Sequence, residues 1–352
     1  MANHSFKQIQ VELNKSKYDI LVGKDILNEV TNFIPEGTKK LAVITQKNIG
    51  IMPDLHGYDV TELYVENSEN AKSLANVEKL CERLAEEGFH RNDMLIAVGG
   101  GVVTDLSGFV ASVYNRGINF INIATTLLAQ VDAAIGGKTG VNLSVGKNLV
   151  GAFWQPLCVI NDLDTLATLP EIEMSNGYGE IAKYSLIGAG NFDGLSIQEI
   201  VFKCAQFKAD VVKEDEFEIT GRRAILNYGH TLAHAIELVA LNSVLPGQRP
   251  KLNHGQAVAV GIAFEAHLAQ KLGRIDSAEV SRQIETLESY SLPTKIPSEL
   301  KTDATELIEF MFKDKKSTGT LAFVLDGPNG PELVKDIDVD KVSITLEEFF
   351  KS

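Results

Sequence analysis

Five side chains in the second half of the chain could do chemistry together. In Asn227-Tyr-Gly-His-Thr-Leu-Ala-His234, two imidazoles stand four residues apart, one turn of a helix on one face. His254 opens the next helical period, and Glu180 and Lys183 stand at i, i+3 within Gly179-Glu-Ile-Ala-Lys183. One carboxylate and two imidazoles would hold a divalent metal and leave coordination positions open, as a catalytic site must. The H-x-x-x-H spacing lacks the glutamate of the zincin proteases, and paired histidines on a helix also serve plain packing. The company of Glu180 and Lys183 favours the metal.

Two glycine-rich segments suit anions. Ala97-Val-Gly-Gly-Gly-Val-Val-Thr-Asp105 places three glycines between an apolar run and a helical period, where backbone N–H groups and a helix N-terminus can receive a pyrophosphate. Its spacing is not G-x-G-x-x-G, and a tight turn would use the same glycines. Gly136-Gly-Lys-Thr-Gly-Val-Asn-Leu-Ser-Val-Gly-Lys-Asn148 carries Lys138, Lys147 and Asn148 among four glycines. It lacks the spacing of a nucleotide-triphosphate P-loop and reads as an anion-binding loop or a plain surface loop, tethered by apolar flanks.

These residues need elements to hold them. Residues 40–45, 60–65, 94–98, 120–124 and 157–160 are β-branched or apolar runs, interleaved with a helical period over 76–89. The continuously apolar runs predict strands buried on both faces of a parallel sheet, with Thr125 and Thr126 at a strand end where such sheets bind ligands. Residues 8–13 and 18–22 alternate and predict an antiparallel hairpin at the sheet edge. Beyond about residue 168, helical periods dominate at 174–186, 197–215, 224–240, 254–272 and 278–290, with one late strand at 321–325 after a basic turn. The fold class expected is an α/β, Rossmann-like nucleotide-binding domain over 1–168, followed by a mainly α-helical metal- and substrate-binding domain over 169–352.

The chain has 352 residues, 33 basic and 47 acidic, for a formal charge of −14. That balance repels nucleic acid and anionic membrane, so an anionic substrate would need a locally basic pocket such as Lys183, Lys208, Arg223 and Lys316 could form. No apolar stretch is long enough to span a bilayer and the first residues lack a secretory pattern, which together predict a cytoplasmic protein. Cys81, Cys158 and Cys204 stand far apart among apolar neighbours and read as small buried hydrophobes.

Taken in order, Gly99–Phe109, Tyr114-Asn-Arg-Gly117, Thr125–Asp132, Gly136–Asn142, Gly146–Pro156, Gly179–Lys183, Lys208–Val212, Asn227–Thr231, His254-Gly255 and Asp314–Lys316 resemble the sugar-phosphate cyclase superfamily, and within it the 3-dehydroquinate synthase family. The resemblance implies NAD and a zinc or cobalt ion as cofactors, with Glu180, His230 and His254 as metal ligands. It implies that Lys138, Asn148, Lys183, Lys208, Arg223, Asn227, His234 and Lys316 surround the substrate, that Asp132 lies between metal and cofactor, and that Arg116 reaches across a homodimer interface to the phosphate. NAD would use Gly100, Gly101, Val102, Asp105, Thr125, Thr126, Asp132, Lys138, Lys147 and Thr168, with Gln46, Asn48, Glu69 and Lys72 toward the adenosine end. The implied activity is that of a carbon–oxygen lyase releasing phosphate from 3-deoxy-D-arabino-heptulosonate 7-phosphate.

The sequence departs from the family pattern at four places. Gln46 stands where relatives carry an acid for the adenine ribose, Thr104 replaces a glycine, His254-Gly-Gln256 replaces His-Gly-Glu, and the stretch 240–253 is long. None removes an implied ligand. Alternative readings are another cyclase of the 2-deoxy-scyllo-inosose or 2-epi-5-epi-valiolone type, whose substrates lack the carboxylate, a metal-dependent polyol dehydrogenase, and a non-catalytic NAD-binding sensor.

Overall fold

A computed structural model describes residues 6–14, 16–242, 252–315 and 320–351. The chain forms two compact units, Met1–Met174 with Gly194–Phe217, and Ser175–Asp193 with Glu218–Ser352. The units thus interleave rather than meeting at one chain position.

The first unit is built on a seven-stranded sheet: β1 (Lys7–Glu12), β2 (Lys17–Gly23), β3 (Lys40–Gln46), β4 (Asp59–Val65), β5 (Met94–Gly99), β6 (Asn119–Ala124) and, after a separate two-stranded ribbon of β7 (Lys138–Leu143) and β8 (Gly146–Phe153), β9 (Cys158–Asp162). The strand order is β1-β2-β9-β6-β5-β3-β4, parallel except for β1, which pairs antiparallel with β2 as the alternating sequence predicts. The central β5 is apolar at every position because both its faces are covered. Leu95 and Ala97 of β5 pack with α1 (Leu74–Glu86) and α2 (Gly101–Val113), while Met94, Ile96 and Val98 pack with Ile26, Val30 and Leu55 on the other face.

The direction in which successive strands are added reverses between β3 and β5, since β4 lies to one side of β3 and the later strands to the other. The carboxyl ends of β3 and β5, at Gln46 and Gly99, therefore flank the crevice where open α/β sheets bind nucleotides.

The second unit takes most of α3 (Glu171–Tyr184). The next helix in the chain, α4 (Ile197–Glu214), packs instead on the β1–β2 edge of the first unit, with Gln198 Nε2 donating to the Val22 carbonyl at 3.2 Å. The second unit continues with α5 (His230–Asn242), α6 (His254–Lys271), α7 (Ser277–Ser289), α8 (Ala304–Lys315), a hairpin of β10 (Thr320–Leu325) and β11 (Glu332–Asp338), and α9 (Val339–Lys351). α6 is its axis, apolar nearly all round.

Two expectations change. The helical period at 224–240 begins at His230, because Gly229 has φ +82° and ends a 3-10 turn over Arg222–Asn227. The segment read as an anion-binding or plain surface loop is the β7–β8 ribbon, closed tightly where Gly140 and Gly151 face each other; a Cβ on Gly151 would lie 2.2 Å from the Thr139 carbonyl oxygen.

Candidate functional site

In the second unit, three helices meet at two glycine crossings, one beside Glu180 and His254 and the other beside His230. A Cβ on Gly179 would lie 2.3 Å from Gly255 Cα, so α3 and α6 touch backbone to backbone with Glu180 and His254 next to the contact. A Cβ on Gly261 would lie 1.9 Å from the Gly229 carbonyl oxygen, which seats the start of α5, and His230, on the same helix. Asn176 Oδ1 accepts the Gly255 N–H at 2.7 Å, and Asn253 with Gln256 forms a reciprocal capping box at the head of α6. Gln256 thus does at the third helical position what a glutamate would do there.

The result is a compact donor set. The ligand atoms of Glu180, His230 and His254 all lie within 4.8 Å of one another. Glu180 is fully buried, and its Oε1 stands 3.6 Å from His230 Nε2 and 3.4 Å from His254 Nε2. Those separations are long for hydrogen bonds but match two ligands that share one ion at ~2.1 Å in tetrahedral geometry. The residues present fit a zinc-type ion.

The neighbours fix the ring orientations. His230 Nδ1 lies 3.1 Å from the Tyr228 carbonyl and His254 Nδ1 lies 3.5 Å from Glu237, so each imidazole turns Nε2 toward Glu180. Burial, with the Lys183 charge, lowers His230 to about 3, keeping it neutral and able to ligate. Burial also pushes His254 down, but the Glu237 and Glu180 carboxylates outweigh it and hold it up to about 10. Lys183, 1% exposed, pairs with Glu180 and donates to the Leu226 carbonyl at 2.8 Å. Leu226 belongs to the 3-10 turn that carries Arg223, itself 1% exposed with Nε 4.0 Å from Glu218, and the exposed Asn227. The His234 and His230 rings stand 5.6 Å apart, edge to face.

In the first unit, the glycine turn closes β5 onto α2. A Cβ on Gly100 would lie 2.8 Å from Thr126 Cγ2, Thr125 N–H donates to the Gly99 carbonyl at 3.0 Å, and no side chain caps α2. Bare backbone, a helix N-terminus that starts with Gly101 and Val102, and the sheet's reversal point coincide here, which fits a dinucleotide pyrophosphate.

Beside the turn, Lys72 Nζ stands 2.6 Å from Asp105 Oδ2, 2.6 Å from Asn148 Oδ1 and 3.8 Å from Glu69 Oε1. Asn142 completes this group, donating to Glu69 and accepting the Asn148 N–H. Asn148 therefore joins the residues expected at the cofactor. Gln46, buried at the end of β3, donates through Nε2 to the Glu66 carbonyl at 3.0 Å.

Lys208 of α4 binds both the carbonyl, at 2.7 Å, and the carboxylate, at 2.8 Å, of Asp132, which sits in a π-helical turn over Ala129–Ala133. Lys138 and Lys147 are exposed on the ribbon. Among the described residues, no side-chain hydrogen bond or ion pair joins the exposed Asn48, Arg116 or Thr168 to these groups. Arg116 follows Asn115 in a rare pair of consecutive non-glycine residues at φ 63° and 49°. Lys316 lies outside the described residues.

Sequence reasoning missed Glu237, Asn176 and Asn142. Glu237 had a signal, since it follows His230 by seven residues and His234 by three, on one helix face.

A two-unit chain with a glycine turn on a parallel sheet and a candidate Glu-His-His metal site among helices has the fold of the NAD- and metal-binding sugar-phosphate cyclases. Solved structures bear this out. A 2-deoxy-scyllo-inosose synthase complexed with carbaglucose-6-phosphate, NAD+ and Co2+ superposes with TM-score 0.84 at 25% identity, covering 97% of this chain and all of that one. A 2-epi-5-epi-valiolone synthase from Streptomyces hygroscopicus subsp. jinggangensis 5008, with NAD+ and Zn2+ bound, shares the fold at TM-score 0.80 and 24% identity, over 97% of this chain and 98% of that one. Sequence comparison is narrower. Residues 62–176 match the 3-dehydroquinate synthase N-terminal family and residues 177–317 the 3-dehydroquinate synthase C-terminal family. A 3-dehydroquinate synthase from Alkaliphilus metalliredigens (strain QYMF) is 37% identical over 97% of each chain. A protein provisionally named an aminodehydroquinate synthase, from Amycolatopsis mediterranei (strain S699), is 41% identical over 96% of this chain and 93% of its own. The chain belongs to the 3-dehydroquinate synthase family.

Proposed function

We propose that the protein converts 3-deoxy-D-arabino-heptulosonate 7-phosphate to 3-dehydroquinate and phosphate, by oxidation, phosphate elimination, reduction, ring opening and intramolecular aldol closure. The observation that carries this reading is the buried Glu180–His230–His254 donor set in a chain that matches the family over both of its parts.

Glu180, His230 and His254 would hold a zinc or cobalt ion, and the glycine turn at Gly100–Val102, with Asp105, Lys72, Glu69, Thr125, Thr126, Lys147 and Thr168, would hold NAD. When bound, the ion supplies Lewis-acid polarisation of substrate hydroxyls, and NAD takes up and later returns one hydride, so it is recovered in each turnover. The rest falls to the chain's own groups. A dianionic phosphate and a carboxylate on one substrate require several cations, a role assigned to Lys138, Lys183, Lys208, Arg223 and Lys316. Asn148 and Asn227 donate to substrate oxygens. His234, beside His230 and only partly buried, takes the hydroxyl proton as the carbinol is oxidised. Asp132 is oriented by its two bonds to Lys208. Arg116 binds the phosphate of the other protomer in a homodimer, and the protein works in the cytoplasm.

An amino analogue of the same substrate is the second reading, favoured by the 41% identity to the Amycolatopsis protein. Assaying phosphate release from the sugar-acid phosphate, its amino analogue and carboxylate-free sugar phosphates separates the cases. The proposal expects turnover of the first at least about tenfold above the others, and turnover only of a carboxylate-free substrate would overturn it.

A further inference from the structure

α6 buries thirteen of its residues, and Glu265 is the one charged side chain among them. Its Oε2 accepts the Gly229 N–H at 2.7 Å. A carboxylate fully removed from water on an otherwise apolar helix is unfavourable for stability alone, so its placement calls for a role. Gly229 is the residue before His230 and the point at which the chain crosses α6; a Cβ on Gly229 would lie 2.6 Å from the Val258 carbonyl oxygen. One turn along α6 from the Gly261 crossing, Glu265 receives the Gly229 N–H. It also stands eleven residues from His254, three turns along the same face. A single helix thus carries one imidazole ligand and grips the backbone that carries the other.

The rest of that turn is fixed as well. Tyr228 donates its hydroxyl to Gln283 Oε1 at 2.6 Å, and its carbonyl faces His230 Nδ1. Gln283 and Glu265 thus hold the two residues ahead of His230, Tyr228 and Gly229. A negative charge at this point also meets the positive end of α5.

We infer that Glu265 is a positioning residue of the metal centre: by accepting the Gly229 N–H it sets the entry of α5, and so the aim of His230 Nε2 at the oxygen of Glu180. The inference rests on the reading that Glu180, His230 and His254 bind a divalent ion.

The test uses the full-length protein stripped of metal and titrated with Co2+ against a chelator, following the visible cobalt absorption band. Glu265→Leu, which removes the acceptor, should weaken Co2+ binding by about 10- to 100-fold and alter the band. Glu265→Gln keeps a neutral oxygen acceptor and should weaken binding by about 3- to 10-fold, since a neutral acceptor bonds less strongly than a carboxylate. Far-ultraviolet circular dichroism checks that each variant is folded. Wild-type affinity and band in Glu265→Leu would overturn the inference, even with a lowered melting temperature, because a purely structural role moves only the latter. Should Glu265→Leu fail to fold, wild-type affinity and band in Glu265→Gln would overturn it instead. Glu180→Gln separates the two layers: if it binds Co2+ as tightly as the wild type, the metal reading itself fails; if it loses Co2+ while the folded Glu265 variants keep it, only the positioning role fails.

Discussion

Lys72 Nζ and Asp105 Oδ2 stand 2.6 Å apart beside the glycine turn, with the ammonium almost wholly buried. Burial pulls the Lys72 pKa down, yet the Asp105 and Glu69 charges outweigh it and hold the ammonium above its ordinary range. Burial raises the Asp105 carboxyl despite that cation. Removing one partner therefore leaves the other poorly compensated. Lys72→Met should destabilise the first unit by roughly 3 kcal/mol and raise the dissociation constant for NAD at least about tenfold. Calorimetric titration with NAD checks this, alongside Co2+ binding, which should stay at the wild-type value.

Glu180→Gln should abolish tight metal binding. An amide is a weak ligand for zinc, and Lys183 would lose its buried counter-charge. Equilibrium dialysis should show the metal content falling from about one ion per chain to near zero, while NAD still binds.

Gly179→Ala tests the crossing of α3 and α6. The added Cβ would meet Gly255 backbone at 2.3 Å, and backbone cannot swing aside as a flexible side chain can. A loss of about 1–3 kcal/mol in denaturant unfolding, with weakened metal affinity, is expected. Unchanged stability would mean that the helices separate freely here.

Alkaline pH should destabilise the fold. Burial, with the Asp19 charge, raises Cys158 well above its ordinary 9.0. Burial, with the Glu265 and Asp326 charges, raises Tyr228 well above 10.0. Both groups stay protonated when folded and ionise more easily when unfolded, so their contribution is complete below those ordinary values and is lost as pH rises above them. Each costs up to ~1.4 kcal/mol per pH unit above its unfolded value. Thermal midpoints of the metal-free protein should therefore fall from about pH 6.5 upward, as His254, held up to about 10, loses its contribution, and fall further beyond about pH 9 as Cys158 and Tyr228 lose theirs. Tyr228→Phe should flatten the part of that fall above about pH 10.

The sheet was legible because strands buried on both faces are apolar at every position, as Met94–Gly99 is. The pairing of His230 with His234 was also legible, since one helical turn fixes it. The convergence of Glu180 and His254 on His230 was not. It depends on glycine crossings at Gly179/Gly255 and Gly229/Gly261, and glycines of that kind look in sequence like ordinary helix interruptions. The ribbon at Lys138–Phe153 was hidden for a related reason: its glycines and polar residues break the alternation that marks a strand. Residues 304–315 and 339–351 went unread although each carries an apolar face, the first packed on α5 and α9 and the second on α6 and α8, while 332–338 is a mostly exposed hairpin strand whose apolar Leu333, Val334 and Ile337 do not alternate.

The most direct test of the proposed chemistry is phosphate release from 3-deoxy-D-arabino-heptulosonate 7-phosphate by metal-loaded protein, with NAD held far below substrate. Many phosphates released per NAD, with no accumulation of NADH, is the predicted result. One NADH formed per substrate consumed, with phosphate retained, would contradict it and identify a dehydrogenase.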